Sequence, residues 1–396
     1  MAVVSRMRRR LLLAVALTVV ALVSGCIPPV QAGARATATS AAPTQRAAAA
    51  TAEATPRPTP VARSSTAPNL SQLVGQRLIV AMDGTTIPSP GLLGRIRRGE
   101  IGGVILFGRN VTTATALRAL TKQLRDAATT GGQLPLLIAV DQEGGSIKRI
   151  PWAPPTLSPP QMGANGRTST ARSQGAATGT ALAGLGININ LAPVADVPVH
   201  SYSIINKQGR AFSFNPSVVS ALTNAFAEGL ESEGVLPTMK HFPGLGYATT
   251  NTDTTVVTIT ASKAALDPGL EPYRAAVANH LPIVMLSNAT YPAYDAANAA
   301  GWSRAIGTDL LRHDLGFKGV TMTDSLDGTA HARGVSSASL ALKAARAGTD
   351  LILLTGSQAT SGAVFDALYQ AAKSGSLDRT SMLASYARIR DLKAGL

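Results

Sequence analysis

The chain has one cysteine, few aromatic residues and few acidic ones, and each shortage excludes a class of protein. Cys26 is the only cysteine among 396 residues, so no disulfide within the chain can stabilise a fold. Aromatic residues make up 4%, and no basic block interleaved with aromatics occurs in the expected folded region, which argues against a nucleic-acid-binding protein. Charged residues make up only 15% and hydrophobic residues 45%, which excludes a globally disordered chain.

Positive charge is in excess. The chain has 36 Lys and Arg against 22 Asp and Glu, which gives a formal net charge of +14 and a pI near 10.4. We interpret this excess as a solvated basic surface, which favours anionic neighbours such as lipid head groups or wall polymers. The five His are scattered, with no HExxH motif and no paired Cys spacing, so we expect no metal site and no cofactor.

The first 25 residues have the pattern of a lipoprotein signal peptide. Arg6 and Arg8 to Arg10 precede the apolar run Leu11 to Val23, which is too short to predict a transmembrane helix. Val23-Ser24-Gly25-Cys26 resembles a bacterial lipobox, in which Cys26 is lipidated and becomes the mature N-terminus. A plain secretory signal with an incidental cysteine is the alternative. We therefore expect a lipid-anchored protein on the extracytoplasmic face of the cell membrane.

Residues 26–69 differ in composition from the rest of the chain. Ala, Thr, Pro and Ser dominate this segment, and it has no apolar periodicity. Such a composition cannot offset chain entropy by burial, so we predict a disordered tether. The folded domain is then expected over residues 70–396.

From Leu70 onward, short apolar runs alternate with amphipathic helical segments, and Arg379–Leu392 has the pattern of a closing helix. The predicted strands are Leu78–Met82, Gly103–Phe107, Leu136–Asp141, Ile187–Val194, Leu236–His241, Ile283–Ser287, Val320–Asp324 and Leu351–Thr355. The helical segments include Ala114–Ala128, Thr170–Leu185, Pro216–Glu233 and Ala338–Ala347. This alternation predicts an α/β fold, a single (β/α)8 TIM-like barrel. A doubly wound open sheet is the alternative, although no GxGxxG or Walker-type loop follows an early strand.

Polar groups follow five consecutive predicted strands at the points where these strands end. They are Asp141-Gln142-Glu143, Asp196, Lys240-His241, Ser287-Asn288 and Asp324-Ser325. Arg210 lies in the loop after the fourth strand. One charged residue at a strand end is usually a cap or an ion pair. Five in succession predict a functional site, because the C-terminal ends of barrel strands meet at one face.

Five motifs in this region resemble glycoside hydrolase family 3, in its bacterial β-N-acetylglucosaminidase branch. They are DQEGG at 141–145, NLAPVADV at 190–197, RAFS at 210–213, KHFPG at 240–244 and GFKGVTMTDSL at 316–326. The resemblance covers nearly all of residues 70–396 and implies retaining hydrolysis of a β-linked sugar on a barrel of this type. It implies an exo-acting β-N-acetylhexosaminidase that takes β-linked amino-sugar glycans derived from the cell wall, with a β-glucoside or another β-hexoside as the alternative substrate. We expect the chain to act as a monomer.

The resemblance also implies roles for single residues. Asp324, which ends the seventh strand, resembles the nucleophile that forms a glycosyl-enzyme ester. Asp141 resembles the carboxylate that accepts hydrogen bonds from ring hydroxyls. The donors around the same sugar would be Arg149, Arg210, Lys240 and His241.

Several of the charged residues near the strand ends also have a structural interpretation. Arg149 and Arg210 can equally be structural partners of Asp141 and Asp196, since charges that converge in a pocket need pairing. We expect a structural role for Asp196. Asp327, one helical turn beyond Asp324, is expected to be a surface or capping residue.

The loop after the fifth strand departs from the branch. The branch reads Asp-Ser-His where this chain has Asn251, Thr252 and Asp253, and Asn288 stands where the branch often has a His. We expect Asp253 to be the acid/base, with a pKa raised by desolvation beside Asp324, and Asn251 to orient it. The alternative is that catalysis is lost and the chain is a saccharide-binding lipoprotein. A glycoside phosphorylase is a third hypothesis, which the carboxylate at 253 disfavours because it repels phosphate.

Overall fold

The computed structural model describes residues 67–396. The predicted signal peptide, the lipidation site Cys26 and nearly all of the predicted tether lie outside the described residues. Among the described residues, no helix has the length and apolar character needed to cross a bilayer.

Eight parallel strands form one sheet that nearly closes into a barrel. They are β1 Leu78–Ala81, β2 Gly103–Leu106, β3 Leu137–Val140, β4 Ile189–Asn190, β5 Leu236–Phe242, β6 Ile283–Leu286, β7 Val320–Thr323 and β8 Ile352–Leu354. The hydrogen-bonded order is β7-β6-β5-β4-β3-β2-β1-β8. A parallel bridge between Met322 and Leu351 brings β7 beside β8 and closes the circle. The predicted (β/α)8 barrel is confirmed, and the open-sheet alternative is wrong.

The fourth strand is shorter than predicted. The sequence predicts Ile187–Val194, whereas regular pairing covers only Ile189–Asn190. The side chain of Asn190 explains part of the difference, because it binds the backbone N–H and C=O of Gln142 at 3.0 Å each. Pro193 has no N–H to donate to a ladder, and beyond Asn190 the pairing with β5 is reduced to an isolated bridge between Val194 and Lys240.

Helices follow every strand. The α-helices are α1 Leu70–Gly75, α2 Pro90–Arg97, α3 Ala114–Thr130, α4 Pro159–Asn165, α5 Thr168–Gly184, α6 Ile204–Lys207, α7 Pro216–Glu231, α8 Lys263–Leu266, α9 Glu271–Ala278, α10 Leu326–Ala332, α11 Ser337–Ala347, α12 Gln358–Lys373 and α13 Arg379–Lys393. A π-helix, Ala305–Asp314, follows β6. The five predicted helices differ from these by two residues at most at either end. Their starts carry N-caps such as Thr113, Asn215 and Asp378, whose side chains accept backbone N–H groups.

Alternation along the strands separates two apolar layers. In β1, Ile79 and Ala81 face the barrel interior with Ile105 and Leu353, whereas Leu78 and Val80 pack outward with the surrounding helices. All strand residues of this kind are buried, as parallel strands covered on both faces should be. The interior is therefore a packed core and not a channel.

Helix α13 covers the N-terminal mouth of the barrel, as its closing pattern predicts. Ile389 of α13 joins the interior cluster, and the fully buried Lys393 donates to Oε1 of Gln76 at 2.6 Å and to the carbonyl oxygen of Gly102 at 2.8 Å. Arg388 of α13 binds Oδ1 of Asp350 at 2.7 Å, just before β8. The opposite mouth, at the C-terminal ends of the strands, stays open for ligands.

Candidate active site

A cavity of about 420 Å³ lies at the C-terminal ends of the barrel strands. The side chains that sequence reasoning selected all line it: Asp141, Arg149, Arg210, Lys240, His241, Asp253 and Asp324. These residues lie near the C-terminal end of β5 or after β3, β4, β5 and β7, which are far apart in the sequence but meet at one face of a barrel. The barrel thus brings every selected residue within the described part of the chain to one place.

Glu143 organises the basic side chains of the cavity wall. Its Oε1 lies 2.7 Å from Nζ of Lys240, and its carboxylate accepts two hydrogen bonds from Arg210 at 2.8 Å each. Burial alone raises the pKa of Glu143, but Arg210 and Lys240 outweigh it and lower this pKa to about 2. Burial lowers the pKa of Lys240, yet Asp141 and Glu143 leave it raised. Glu143 and Lys240 are therefore both charged at neutral pH.

Glu143 is not among the site residues predicted from the sequence, and the predicted pairing of Arg210 with Asp196 is wrong. The structure pairs Arg210 with Glu143 in a bidentate bridge. The signal that was available is the spacing of Asp141 and Glu143, which lie two residues apart after β3. Both carboxylates reach Lys240, whose Nζ is also 2.8 Å from Oδ1 of Asp141.

Arg149 is the basic side chain with the loosest pairing in this wall. Its Nη2 lies 3.8 Å from Oδ2 of Asp141, outside hydrogen-bond range, and its guanidinium stands 5.9 Å from the ring centre of Phe107. The partnership with Asp141 that the sequence suggested is therefore a weak ion pair. Guanidinium donors remain available to a ligand in the cavity.

His241 is held from behind by Asp196, which is fully buried. Oδ2 of Asp196 lies 2.7 Å from Nδ1 of His241, and Oδ1 accepts the backbone N–H groups of His241 and Leu245 at 3.2 and 2.7 Å. Because a carboxylate only accepts, Nδ1 carries the proton and Nε2 is the ring atom left for a ligand. Asp196 thus has the structural position that the sequence suggested.

Asp324 and Asp253 reach the cavity from different elements. Asp324 directly follows β7, and its Oδ1 accepts the backbone N–H of Ser325 at 2.7 Å. Asp253 lies on the loop after β5, with its surface open toward the cavity. Desolvation by the surrounding protein and the charge of Asp324 raise the pKa of Asp253 to about 6, against smaller opposing effects of His241 and Arg210. The site therefore contains, beside Asp324, a carboxyl group that keeps its proton to a higher pH than an ordinary Asp.

The loop that carries Asp253 packs tightly on α10. Oδ1 of Asn251 accepts the backbone N–H of Asp253 at 3.0 Å, so Asn251 shapes the turn. Gly328 of α10 faces the same residue: a Cβ at 328 would stand 2.6 Å from the carbonyl oxygen of Asp253, which no side chain allows. The expected role of Asn251 as an orienting residue acts, in this structure, through the backbone.

Asp327 supports a neighbouring loop rather than the cavity. Its Oδ2 accepts the backbone N–H groups of Thr355 and Gly356 at 2.7 and 2.9 Å, and its Oδ1 accepts the hydroxyl of Ser337 at 2.7 Å. It caps the loop after β8, in keeping with the expectation of a capping residue. Within residues 67–396, no group of three His, Cys, Asp or Glu side chains is arranged to hold a metal ion.

Comparison with known proteins identifies a family. Residues 92–392 match the sequence profile described as "Glycosyl hydrolase family 3 N terminal domain". A protein of Arthroderma benhamiae named "Uncharacterized secreted glycosyl hydrolase" is 36% identical over 342 residues, which cover 85% of this chain and 96% of that protein. "Beta-hexosaminidase A" of Pseudoalteromonas piscicida is 35% identical over 68% of this chain, which spans only 48% of that longer relative.

A solved structure has the same architecture. The β-N-acetylhexosaminidase from Beutenbergia cavernae superposes with a TM-score of 0.76 at 32% sequence identity. The match covers 83% of this chain and 99% of that chain. The agreement extends over the whole barrel, so the fold and the sequence motifs lead to the same family.

Proposed function

The chain belongs to glycosyl hydrolase family 3 and is a glycoside hydrolase, and we propose that it is a retaining exo-β-glycosidase with β-N-acetylhexosaminidase activity. Asp324 is the proposed nucleophile and Asp253 the proposed acid/base. The observation that carries this proposal is the raised pKa of Asp253 in the cavity that also contains Asp324. A carboxyl group with a raised pKa keeps the proton that a general acid must donate, while a second carboxylate in the same cavity can attack the sugar.

The proposed reaction has two steps. In the first, the carboxylate of Asp324 attacks the anomeric carbon, and the C–O bond to the leaving group breaks while the carboxyl of Asp253 protonates the departing oxygen. In the second, the carboxylate of Asp253 takes a proton from water, and the resulting hydroxide oxygen displaces Asp324 from the sugar. The β configuration is retained, and both carboxyl groups return to their starting states.

The remaining wall residues are proposed to hold the sugar. Asp141 accepts from Lys240 and keeps lone pairs for ring hydroxyls, Arg149 supplies donors, and the unprotonated Nε2 of His241 can accept a hydrogen bond from a sugar hydroxyl. Lys240 and Arg210 are fixed by Glu143, so they present their charge in one geometry and lose little side-chain entropy on binding. This polar wall suits a polyhydroxylated ligand.

The substrate class and the location are part of the proposal. The relatives named β-hexosaminidase and the β-N-acetylhexosaminidase structure support a terminal β-linked N-acetylhexosamine as the sugar that is released. The basic composition of the chain suits anionic wall polymers. A lipid anchor at Cys26 and a tether over residues 26–69 would place the barrel at the extracytoplasmic face of the membrane.

A second candidate is a saccharide-binding lipoprotein without catalysis. It is favoured by one observation, the carboxylate of Asp253 at a position where the related branch keeps an imidazole. A phosphorylase is disfavoured because phosphate would approach the two carboxyl groups of Asp253 and Asp324.

A substrate panel with the full chain distinguishes the three. We expect hydrolysis of 4-nitrophenyl N-acetyl-β-glucosaminide, faster than that of the corresponding β-glucoside, and no dependence on inorganic phosphate. Asp324→Ala should abolish turnover and keep the fold, whereas Asp126→Ala, on the solvent side of α3, should leave the rate unchanged. If the parent binds saccharides but turns over no glycoside, the chain is a saccharide-binding protein and not a hydrolase. A rate that rises with phosphate would indicate a phosphorylase.

A further inference from the structure

A chain of hydrogen bonds runs behind the cavity from the end of β6 to the loop after β5. It joins Asn288, Thr329 of α10 and Thr252, which are 1%, 2% and 4% exposed. Thr252 directly precedes Asp253. None of the three residues is among those proposed above to contact the sugar.

Asn288 uses both protons of its side-chain amide in this chain. Nδ2 donates to the carbonyl oxygen of Ser325 at 2.6 Å and to Oγ1 of Thr329 at 2.9 Å. Ser325 follows Asp324, and its backbone N–H donates to Oδ1 of that carboxylate at 2.7 Å. One amide therefore fixes the segment that presents Asp324 and, at the same time, the hydroxyl of Thr329.

Thr329 passes this constraint to the loop that carries Asp253. Its hydroxyl accepts from Asn288, so its single proton is directed to the carbonyl oxygen of Thr252, 3.0 Å away. The neighbouring Gly328 lets the backbone of Asp253 approach α10 closely. The loop is thus attached to α10 at two successive residues, and α10 begins two residues after Asp324.

We propose that Asn288 and Thr329 are positioning residues, which fix the carboxyl group of Asp253 relative to that of Asp324. This inference rests on the proposed function, because it assigns the relative placement of the two proposed catalytic groups. Proton transfer to a leaving oxygen requires hydrogen-bond reach and alignment, and a displacement of about 1 Å can cost about 10²-fold in rate. The cost falls on protonation of the leaving group, since Thr329 contacts the Asp253 loop directly.

A purely structural role predicts something else. Loss of one buried hydrogen bond lowers the free energy of unfolding by about 1 kcal/mol wherever the bond lies. It gives no reason for the reaction to become more sensitive to the leaving group. The chain supplies a matched control in Thr223 of α7, whose buried hydroxyl donates to the carbonyl oxygen of Val219 at 2.7 Å outside the cavity.

The first test compares full-length Thr329→Val, Thr329→Ser and Thr223→Val. On an alkyl N-acetyl-β-glucosaminide, which needs protonation, we expect Thr329→Val to lower kcat/KM about tenfold, a part of what a general acid typically contributes. On the 2,4-dinitrophenyl glycoside the loss should be twofold or less. Thr329→Ser should have the parent's kcat/KM on both substrates. Thr223→Val should change kcat/KM on neither substrate. Equal losses on both substrates in Thr329→Val, or no loss on either, would overturn the proposal.

The second test does not depend on turnover. Hydrogen exchange of the peptide that spans residues 247–256 should be faster in Thr329→Val and in Asn288→Ala than in the parent, with Thr223→Val unchanged. Slow exchange in both variants would show that the chain of hydrogen bonds does not hold the loop. If the parent shows no turnover but loop exchange is faster in the variants, the proposed function is rejected. The conclusion that these hydrogen bonds attach the loop to α10 is then retained.

Discussion

The Nζ atom of Lys240 lies 2.7 Å from Oε1 of Glu143, and neither side chain is more than 3% exposed. Removing one partner of such a buried ion pair strongly destabilises a protein, because the other charge stays desolvated without a counter-charge. Glu143 also holds Arg210, so it compensates two cations of the cavity wall.

Glu143→Gln should therefore destabilise the barrel strongly. We expect the free energy of unfolding in urea to fall by about 3–5 kcal/mol. Asp126→Asn breaks the exposed pair with Lys122 and should cost about 0–1 kcal/mol, which makes it the matched control. Similar small losses in both variants would contradict the assignment of Glu143 as the organising carboxylate.

Asp253→Ala should separate protonation from nucleophilic attack. Because general acid catalysis contributes about 10²–10⁴-fold, we expect a loss of that order on natural glycans and a smaller one on a dinitrophenyl glycoside. Azide can enter the space of the lost carboxyl group and take the sugar from the covalent intermediate, so added azide should restore part of the rate. Steady-state kinetics with both substrates measure this, and an equal loss on both would remove Asp253 from the acid role.

The activity should fall as the pH rises through about 6. Burial and the charge of Asp324 raise the pKa of Asp253 to about 6, and only the protonated form can donate to the leaving oxygen. The pH profile of kcat/KM should lose this falling limb in Asp253→Asn.

The raised pKa of Asp253 should also make the stability of the fold depend on pH. A carboxyl group whose pKa is higher in the fold favours folding at low pH, and this contribution is lost as the pH rises from the ordinary 3.8 through about 6. Asp253→Asn should therefore melt at a higher temperature than the parent at pH 8 and not at pH 4. The opposite order would show that the carboxylate of Asp253 is stabilised in the fold.

Because of Lys393, the free energy of unfolding of the barrel should depend on pH in the neutral to alkaline range. Burial lowers the pKa of Lys393 from 10.5 to about 7, so the unfolded chain holds a proton in this range that the folded chain lacks. The free energy of unfolding should rise by about 1.4 kcal/mol per pH unit between about 7 and 10.5. In Lys393→Met this rise should vanish. Parallel curves for parent and variant in urea titrations at each pH would contradict the shift.

The lipobox predicts that Cys26→Ala releases the protein from membranes. Several acyl chains on one cysteine anchor a protein firmly, whereas a basic surface alone binds reversibly and weakens with salt. We expect the variant in the soluble fraction after a high-salt wash and the parent in the membrane fraction. If parent and variant both stay in the membrane fraction, the lipobox interpretation is wrong and the signal segment acts as an uncleaved anchor.

The barrel could be predicted because its strands are short aliphatic runs that end in polar residues. Strand limits were least certain where a side chain replaces a backbone ladder, as Asn190 does at Gln142. The π-helix Ala305–Asp314 was not predicted, since its bulged hydrogen bonding has no spacing that distinguishes it in a sequence.

The cavity residues could be predicted for the same reason, but their pairings could not. Glu143 and Arg210 lie 67 positions apart, and no local pattern says that a carboxylate after β3 meets a loop arginine after β4. The support that Asn288 and Thr329 give to the Asp253 loop was equally hidden. A buried Asn and a helical Thr look the same in a sequence whether they hold a catalytic loop or fill a core.

The buried carboxylate of Asp350, just before β8, stabilises the junction where β7 lies beside β8. It accepts the backbone N–H of Thr321 in β7 at 2.9 Å and the guanidinium groups of Arg312 and Arg388 at 2.5 and 2.7 Å, all at the mouth opposite the cavity. The closure therefore does not depend on the loops that shape the cavity. For protein engineering, the loops after β1 and β8 carry none of the proposed catalytic or sugar-binding residues, so they can be lengthened or exchanged to accept other glycans without separating β7 from β8.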